Sequence, residues 1–115
     1  MSEEQERGVL VASEAGLSIR SVRDVTDAIG ACFGAEGILF TEEDLAPEFF
    51  NLRTGLAGEF LQKFVNYRLR VALVVPHPEA HGERFKELAY EHRTHPLVRF
   101  VRSREEGEAW LRARA

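Results

Sequence analysis

Apolar residues recur along this chain with two different periods, and the alternation between them sets out the architecture. Gly8-Val9-Leu10-Val11-Ala12-Ser13 is a short apolar run, and Leu17-Ser18-Ile19-Arg20 alternates apolar and polar as a half-buried strand does. With Glu14-Ala15-Gly16 as a tight turn between them, they predict an opening β-hairpin. The period then lengthens. Val22, Val25, Ala28, Ile29, Cys32 and Phe33 follow the spacing of one helical face. Ser21 is placed to cap that helix, with Asp24 in its first turn. Gly34 stands just past its end, where a left-handed residue is favoured.

Gly37-Ile38-Leu39-Phe40-Thr41 is apolar nearly throughout, which predicts a central strand covered on both faces. Glu42 to Asn51 reads as a loop with one helical turn at Pro47-Glu48-Phe49-Phe50. A helix is expected from Thr54 to about Tyr67, burying Leu56, Phe60, Leu61 and Phe64. Leu69 to Val75 is a second strongly apolar strand, ended by Pro76 and Pro78. Glu83 to His92 follows as a helix with Phe85, Leu88 and Ala89 inward, and Leu97 to Val101 as the last strand. Ser103 and Glu106 match a capping box that opens a final helix carrying Ala109, Trp110 and Ala113.

The order β-β-α-β-α-β-α-β-α predicts an α/β fold with right-handed crossovers. The expected sheet is mostly parallel but mixed, of about five strands, with four helices and an N-terminal hairpin whose first strand lies antiparallel at an edge. Residues 1–7 are expected as a flexible acidic tail and 8–115 as a single domain.

Composition narrows the function classes. The 115 residues are 44% hydrophobic and 30% charged, suited to one soluble globular domain. A net charge of −4 argues against nucleic-acid binding. Glu3, Glu4 and Glu6 make the start acidic, while Arg99, Arg102, Arg104, Arg112 and Arg114 make the far end basic. Those ends read as solvated, with a basic docking face for an acidic partner as the alternative. Cys32 is the single cysteine, so an intramolecular disulfide is excluded and a reducing cytoplasm is the expected location. No apolar run approaches the ~20 residues of a membrane span, and the polar first residues do not read as a secretory signal.

The chemistry concentrates at Asn51-Leu52-Arg53-Thr54-Gly55-Leu56-Ala57-Gly58. Each glycine costs roughly 0.5–1 kcal/mol against alanine inside a helix. Close approach of another backbone, a ligand at the helix N-terminus or a docked partner would each offset that cost. The predicted binding residues are Glu48, Phe49, Phe50, Asn51, Arg53, Thr54, Gly55 and Gly58. Arg53 is the polar anchor, Phe49 or Phe50 the apolar one, and Gly55, Ala57 and Gly58 admit a close neighbour. The same helix N-terminus, with Arg53, also suits an anion. The alternative is that Thr54 only caps the helix and Arg53 pairs with an acid such as Glu48.

No catalytic set emerges. Glu42, Glu43, Asp44, Glu48 and Glu59 read as acids of a solvated loop. His77 and His81 flank Pro78, which disfavours the single helical face that a His-x-x-x-His metal pair needs. His92 and His95 read as polar filling near a helix end, and Cys32 as core. Phosphate-binding glycine loops are absent. The expectation is no cofactor, no metal and no enzymatic activity.

The run Glu43-Asp44-Leu45-Ala46-Pro47-Glu48-Phe49-Phe50-Asn51-Leu52-Arg53-Thr54-Gly55-Leu56-Ala57-Gly58-Glu59, followed by Leu61-Gln62-Lys63-Phe64 and Asn66-Tyr67-Arg68, resembles the signature of an uncharacterised bacterial family, the domain of unknown function 4180 family. The resemblance spans roughly residues 17 to 111, implies no particular activity, and breaks at the Pro76–His81 loop. Thr54-Gly55-Leu56 is also similar to the end of the Asp-Ser-Ser/Thr-Gly-Leu signature of STAS domains, the anti-sigma-factor antagonists. Leu52 stands in place of the aspartate and Arg53 in place of the phosphorylated serine. That resemblance implies a STAS-like fold and a regulatory role without the usual phosphorylation switch, and leaves phosphorylation of Thr54 open. The resulting expectation is a non-enzymatic regulatory or protein-interaction module with a protein partner docking at Arg53-Thr54-Gly55. The alternative is a domain that binds an anionic metabolite at the same helix end. Homodimerisation through the antiparallel edge strand or the Phe49–Phe50 loop also stays open.

Overall fold

A computed structural model describes residues 8–113; the expected acidic tail at 1–7 lies outside the described residues. Four strands, β1 (Val9–Val11), β2 (Gly37–Thr41), β3 (Val71–Val74) and β4 (Val98–Val101), form one sheet in the order β1-β2-β3-β4. Every neighbouring pair is parallel, with Val11 opposite Leu39, Leu39 opposite Ala72 and Ala72 opposite Arg99.

A sheet whose strands follow one another in sequence order, joined by right-handed crossovers, places its crossover helices on one face. Those helices are α1 (Val22–Cys32), α3 (Leu56–Asn66) and α4 (Glu83–Glu91), with the single turn α2 (Pro47–Phe50) ahead of α3. The main core joins Ile38, Phe40, Val71, Leu73, Val98 and Phe100 of the sheet to Val25, Phe60, Phe64 and Phe85 of the helices. Among the described residues, only α5 (Arg104–Arg112), which follows the last strand, covers the other face, where Leu39, Ala72, Val74 and Val101 meet Leu111.

Several expectations are corrected. The N-terminal hairpin does not form. β1 pairs parallel with β2, and Leu17 N–H bonds to the Ala12 carbonyl at 2.9 Å within a turn. The alternation at Leu17–Arg20 reports burial of Ile19, which is fully buried yet joins the sheet region through one bridge to Leu45. Among the described residues the sheet therefore has four strands rather than about five and is wholly parallel rather than mixed, with β1 at the edge as expected but not antiparallel. The observed order begins β-α, without the second strand on which the STAS-like element order rested.

The final helix is also rotated from its expected face. Gly107 and Leu111 are buried and Trp110 packs beside them, while Ala109 and Ala113 are exposed. A Cβ on Gly107 would lie 2.9 Å from Leu39 Cδ1 and 3.2 Å from Ala72 Cβ, so the missing side chain is what lets α5 lie flat on the sheet. The remaining helices keep their expected bounds to within two residues. Asp24 accepts from the amides of Arg20 (2.8 Å) and Ser21 (3.2 Å), and Ser103 Oγ accepts from Glu106 N–H at 3.1 Å.

Candidate functional site

β2 delivers the chain to the C-terminal edge of the sheet at Thr41, where a 3₁₀ turn (Glu42–Asp44) begins. Asp44 is not a solvated acid. It is buried and accepts from Thr41 N–H at 2.8 Å and Thr41 Oγ1 at 3.1 Å, which fixes the turn. Pro47 then occupies the first turn of α2, where its missing N–H is harmless.

Between α2 and α3 the chain makes a second 3₁₀ turn, Leu52–Thr54. Asn51 Oδ1 accepts from Arg53 N–H at 3.1 Å, and the Thr54 hydroxyl sits 2.7 Å from the Glu48 carbonyl and 2.9 Å from that of Asn51. The same Oγ1 accepts from Leu56 N–H at 3.3 Å. Gly55 takes φ +81°, a left-handed conformation that explains a glycine there without any ligand. α3 consequently starts at Leu56, two residues after its expected start.

The predicted binding residues separate in space. Phe49 is fully buried, its ring centroid 5.4 Å from that of Phe60, so it belongs to the core. Phe50 is half-buried: its ring stacks on His81 with centroids 3.8 Å apart and planes 11° apart, and meets Phe85 edge-on at 5.0 Å. Phe50, Asn51 and Arg53 line a cleft of about 440 Å³ together with His81 and Arg84. Arg53 is exposed, and among the described residues it forms no ion pair with Glu48, whose side chain is also exposed. Ala57 faces the core, whereas Gly55 and Gly58 are exposed, with nothing within 4 Å of a Cβ built on either.

His81 and Arg84 complete this surface. Glu42 Oε2 pairs with His81 Nε2, joining the end of β2 to the connection before α4. No sequence spacing signals that pair, since 39 residues separate its members and only the parallel register brings β2 and β3 side by side. His77 and His81 do not converge: His77 pairs instead with exposed Glu79 at 3.4 Å. A backbone hydrogen bond, with help from His77, holds the Glu79 carboxyl below its ordinary range. Among the described residues no three metal-ligating side chains cluster, and no helix is long and apolar enough to cross a membrane.

α4 begins at this cleft with Gly82 as its cap, so among the described residues no side chain satisfies its first amides, whereas α3 has the Thr54 hydroxyl on its own. An anion would therefore meet the start of α4 rather than that of α3. The strand order never reverses, so the sheet lacks the crevice at which doubly wound folds place their ligands.

No curated protein and no solved structure matches this chain. One family model, described as Domain of unknown function (DUF4180), matches residues 4–111, nearly the whole sequence, and the protein belongs to that family.

Proposed function

We propose that this protein is a non-enzymatic cytoplasmic interaction module of regulatory role, holding a protein partner on the surface made by Phe50, Asn51, Arg53, Thr54, Gly55 and Gly58, all but half-buried Phe50 exposed. Arg53 carries the reading. It is an exposed guanidinium on the wall of a cleft, without an ion pair to any described residue, beside the half-buried ring of Phe50. Arginine and aromatic residues, phenylalanine among them, are enriched at protein interfaces. Gly58 adds support, because a helical glycine with open space around it has no reason inside the fold.

The test is capture from the native host's lysate with wild type, Arg53→Glu and Arg23→Glu, all shown to be folded by circular dichroism. The expected outcome is a protein retained by wild type and by Arg23→Glu, whose site lies on exposed α1 surface, and lost from Arg53→Glu. Equal retention by all three would count against the site.

The uncapped start of α4 beside Arg53 and Arg84 favours a second reading, an anionic metabolite in the same cleft. It predicts a thermal shift with citrate or inorganic phosphate that disappears in Arg84→Glu.

A further inference from the structure

β4 is an edge strand, and edge strands carry a row of amides that the ladder does not use. The carbonyls of Leu97 and Val101 accept from Val71 and Val75 of the neighbouring strand segment, at 2.8 and 2.9 Å. The alternate residues Val98, Phe100 and Arg102 therefore turn their amides outward. All three are taken up internally. Val98 N–H bonds to His95 Nδ1 at 3.2 Å, Phe100 N–H to the His92 carbonyl at 3.4 Å, and Arg102 N–H to Glu106 Oε1 at 3.1 Å. His95 Nδ1 also accepts from Leu97 N–H at 3.0 Å. His95 thus acts as an aspartate or asparagine does in an Asx-turn, a side-chain acceptor for the amide two residues on.

Of these acceptors, only the imidazole changes character near neutral pH. Accepting through Nδ1 fixes the proton of neutral His95 on Nε2. A proton on Nδ1 would turn the acceptor into a donor facing two N–H groups. The charged and titratable neighbours oppose it as well. His92, at the end of α4, has its ring centroid 5.3 Å away, and Arg99 of β4 bonds through Nε to the His95 carbonyl at 2.8 Å. No carboxylate among the described residues forms an ion pair with His95.

We infer that His95 is a proton-operated latch: neutral His95 closes the outer edge of β4 and ties down the connection between α4 and β4, and protonated His95 releases both. Arg93 and Thr94 of that connection line a groove of about 590 Å³ with Ala89, Tyr90 and Phe100, so the latch also holds one wall of that groove. Partial burial, then His92 and Arg99, lower the His95 pKa from the ordinary 6.5, so release belongs to mildly acidic solution.

The experiment is amide exchange by NMR on the full chain between pH 7.5 and 5, corrected for intrinsic exchange, with the His95 ring resonances followed in the same samples. Protection at Leu97 and Val98 should fall by about tenfold for each pH unit below the His95 pKa, while protection at central Leu73 stays constant. In His95→Asn, whose amide oxygen accepts the same bonds without titrating, the fall should vanish. An equal fall in His95→Asn, or a fall out of step with the ring titration, overturns the latch. If His95→Asn does not fold, His92→Gln serves instead. Removing that neighbouring imidazole should move the release to higher pH, and an unmoved midpoint overturns the proposal.

Discussion

The Thr54 hydroxyl lies 2.7 Å from the carbonyl oxygen of Glu48, tying the last turn before α3 back to the first turn of α2. It also accepts from Leu56 N–H, so one oxygen closes the turn and caps the helix that follows. Thr54→Val keeps the shape and removes both roles. It should lower stability by about 1 kcal/mol, the size of a lost cap. Thr54→Ser should restore most of the loss. Urea midpoints of the three proteins provide the check, with an unchanged midpoint for Thr54→Val as the contrary result. A phosphate on Thr54 would remove the hydroxyl proton that it directs at the Glu48 and Asn51 carbonyls, so it would act by opening the turn.

The two glycines of this segment, Gly55 and Gly58, have different physical causes. Gly55 sits at φ +81°, where a side chain is strained whatever the space, so Gly55→Ala should destabilise by about 1 kcal/mol or more. Gly58 lies within α3 with nothing near it, so Gly58→Ala should stabilise by roughly 0.5–1 kcal/mol. Thermal melts of both variants separate these signs. If a partner lies close against α3, Gly58→Ala gains stability and loses capture together.

Close approach inside the fold falls elsewhere, at Gly107, and this marks where sequence reading stops. A glycine among charged residues in Arg104-Glu105-Glu106-Gly107-Glu108 has no apolar flank to show that its face is buried. Its neighbours Leu39 and Ala72 come from strands far along the chain. Elements with a local cause were legible: the apolar run of β2, the box at Ser103 and Glu106, and Gly34 at φ +87° past the end of α1. The pairing of Glu42 with His81, the burial of Asp44 and the direction of β1 depend on tertiary neighbours and were not. Gly107→Ala should cost about 1–3 kcal/mol through overpacking, the reverse of the Gly58 result.

Phe49 and Phe50 are adjacent, and the structure gives them unlike surroundings. Phe49 is fully buried against Phe60 in the main core, while Phe50 is covered on one face by His81. Phe49→Ala should cost about 3–5 kcal/mol, a large part of the roughly 5–15 kcal/mol that holds a domain folded. Phe50→Ala should cost less, and on the proposed docking surface it should weaken partner capture in a protein that still folds. Chemical denaturation ranks the two, and a larger loss for Phe50→Ala would contradict the assignment.

Glu108 on α5 reaches Arg104 Nε at 2.8 Å and Arg112 at 3.3 Å, one turn before it and one turn after. The hydrogen bond from Arg104 leads in holding its carboxyl below the ordinary 4.5, with Arg112 adding to it. A carboxylate with a lowered folded-state pKa contributes its stability above the unfolded value and loses it as pH falls through the folded one. Glu108→Gln should therefore be less stable than wild type at pH 7, by no more than about 1 kcal/mol for two helical pairs at the surface. The gap should persist down to about pH 5 and close toward pH 3, since protonation then does to wild type what the substitution has already done. It should also narrow in 1 M salt, where charges are screened within about 3 Å. Urea melts across that pH range decide it: a gap that stays constant to pH 3 would mean that packing of the side chain, and not its charge, supports α5.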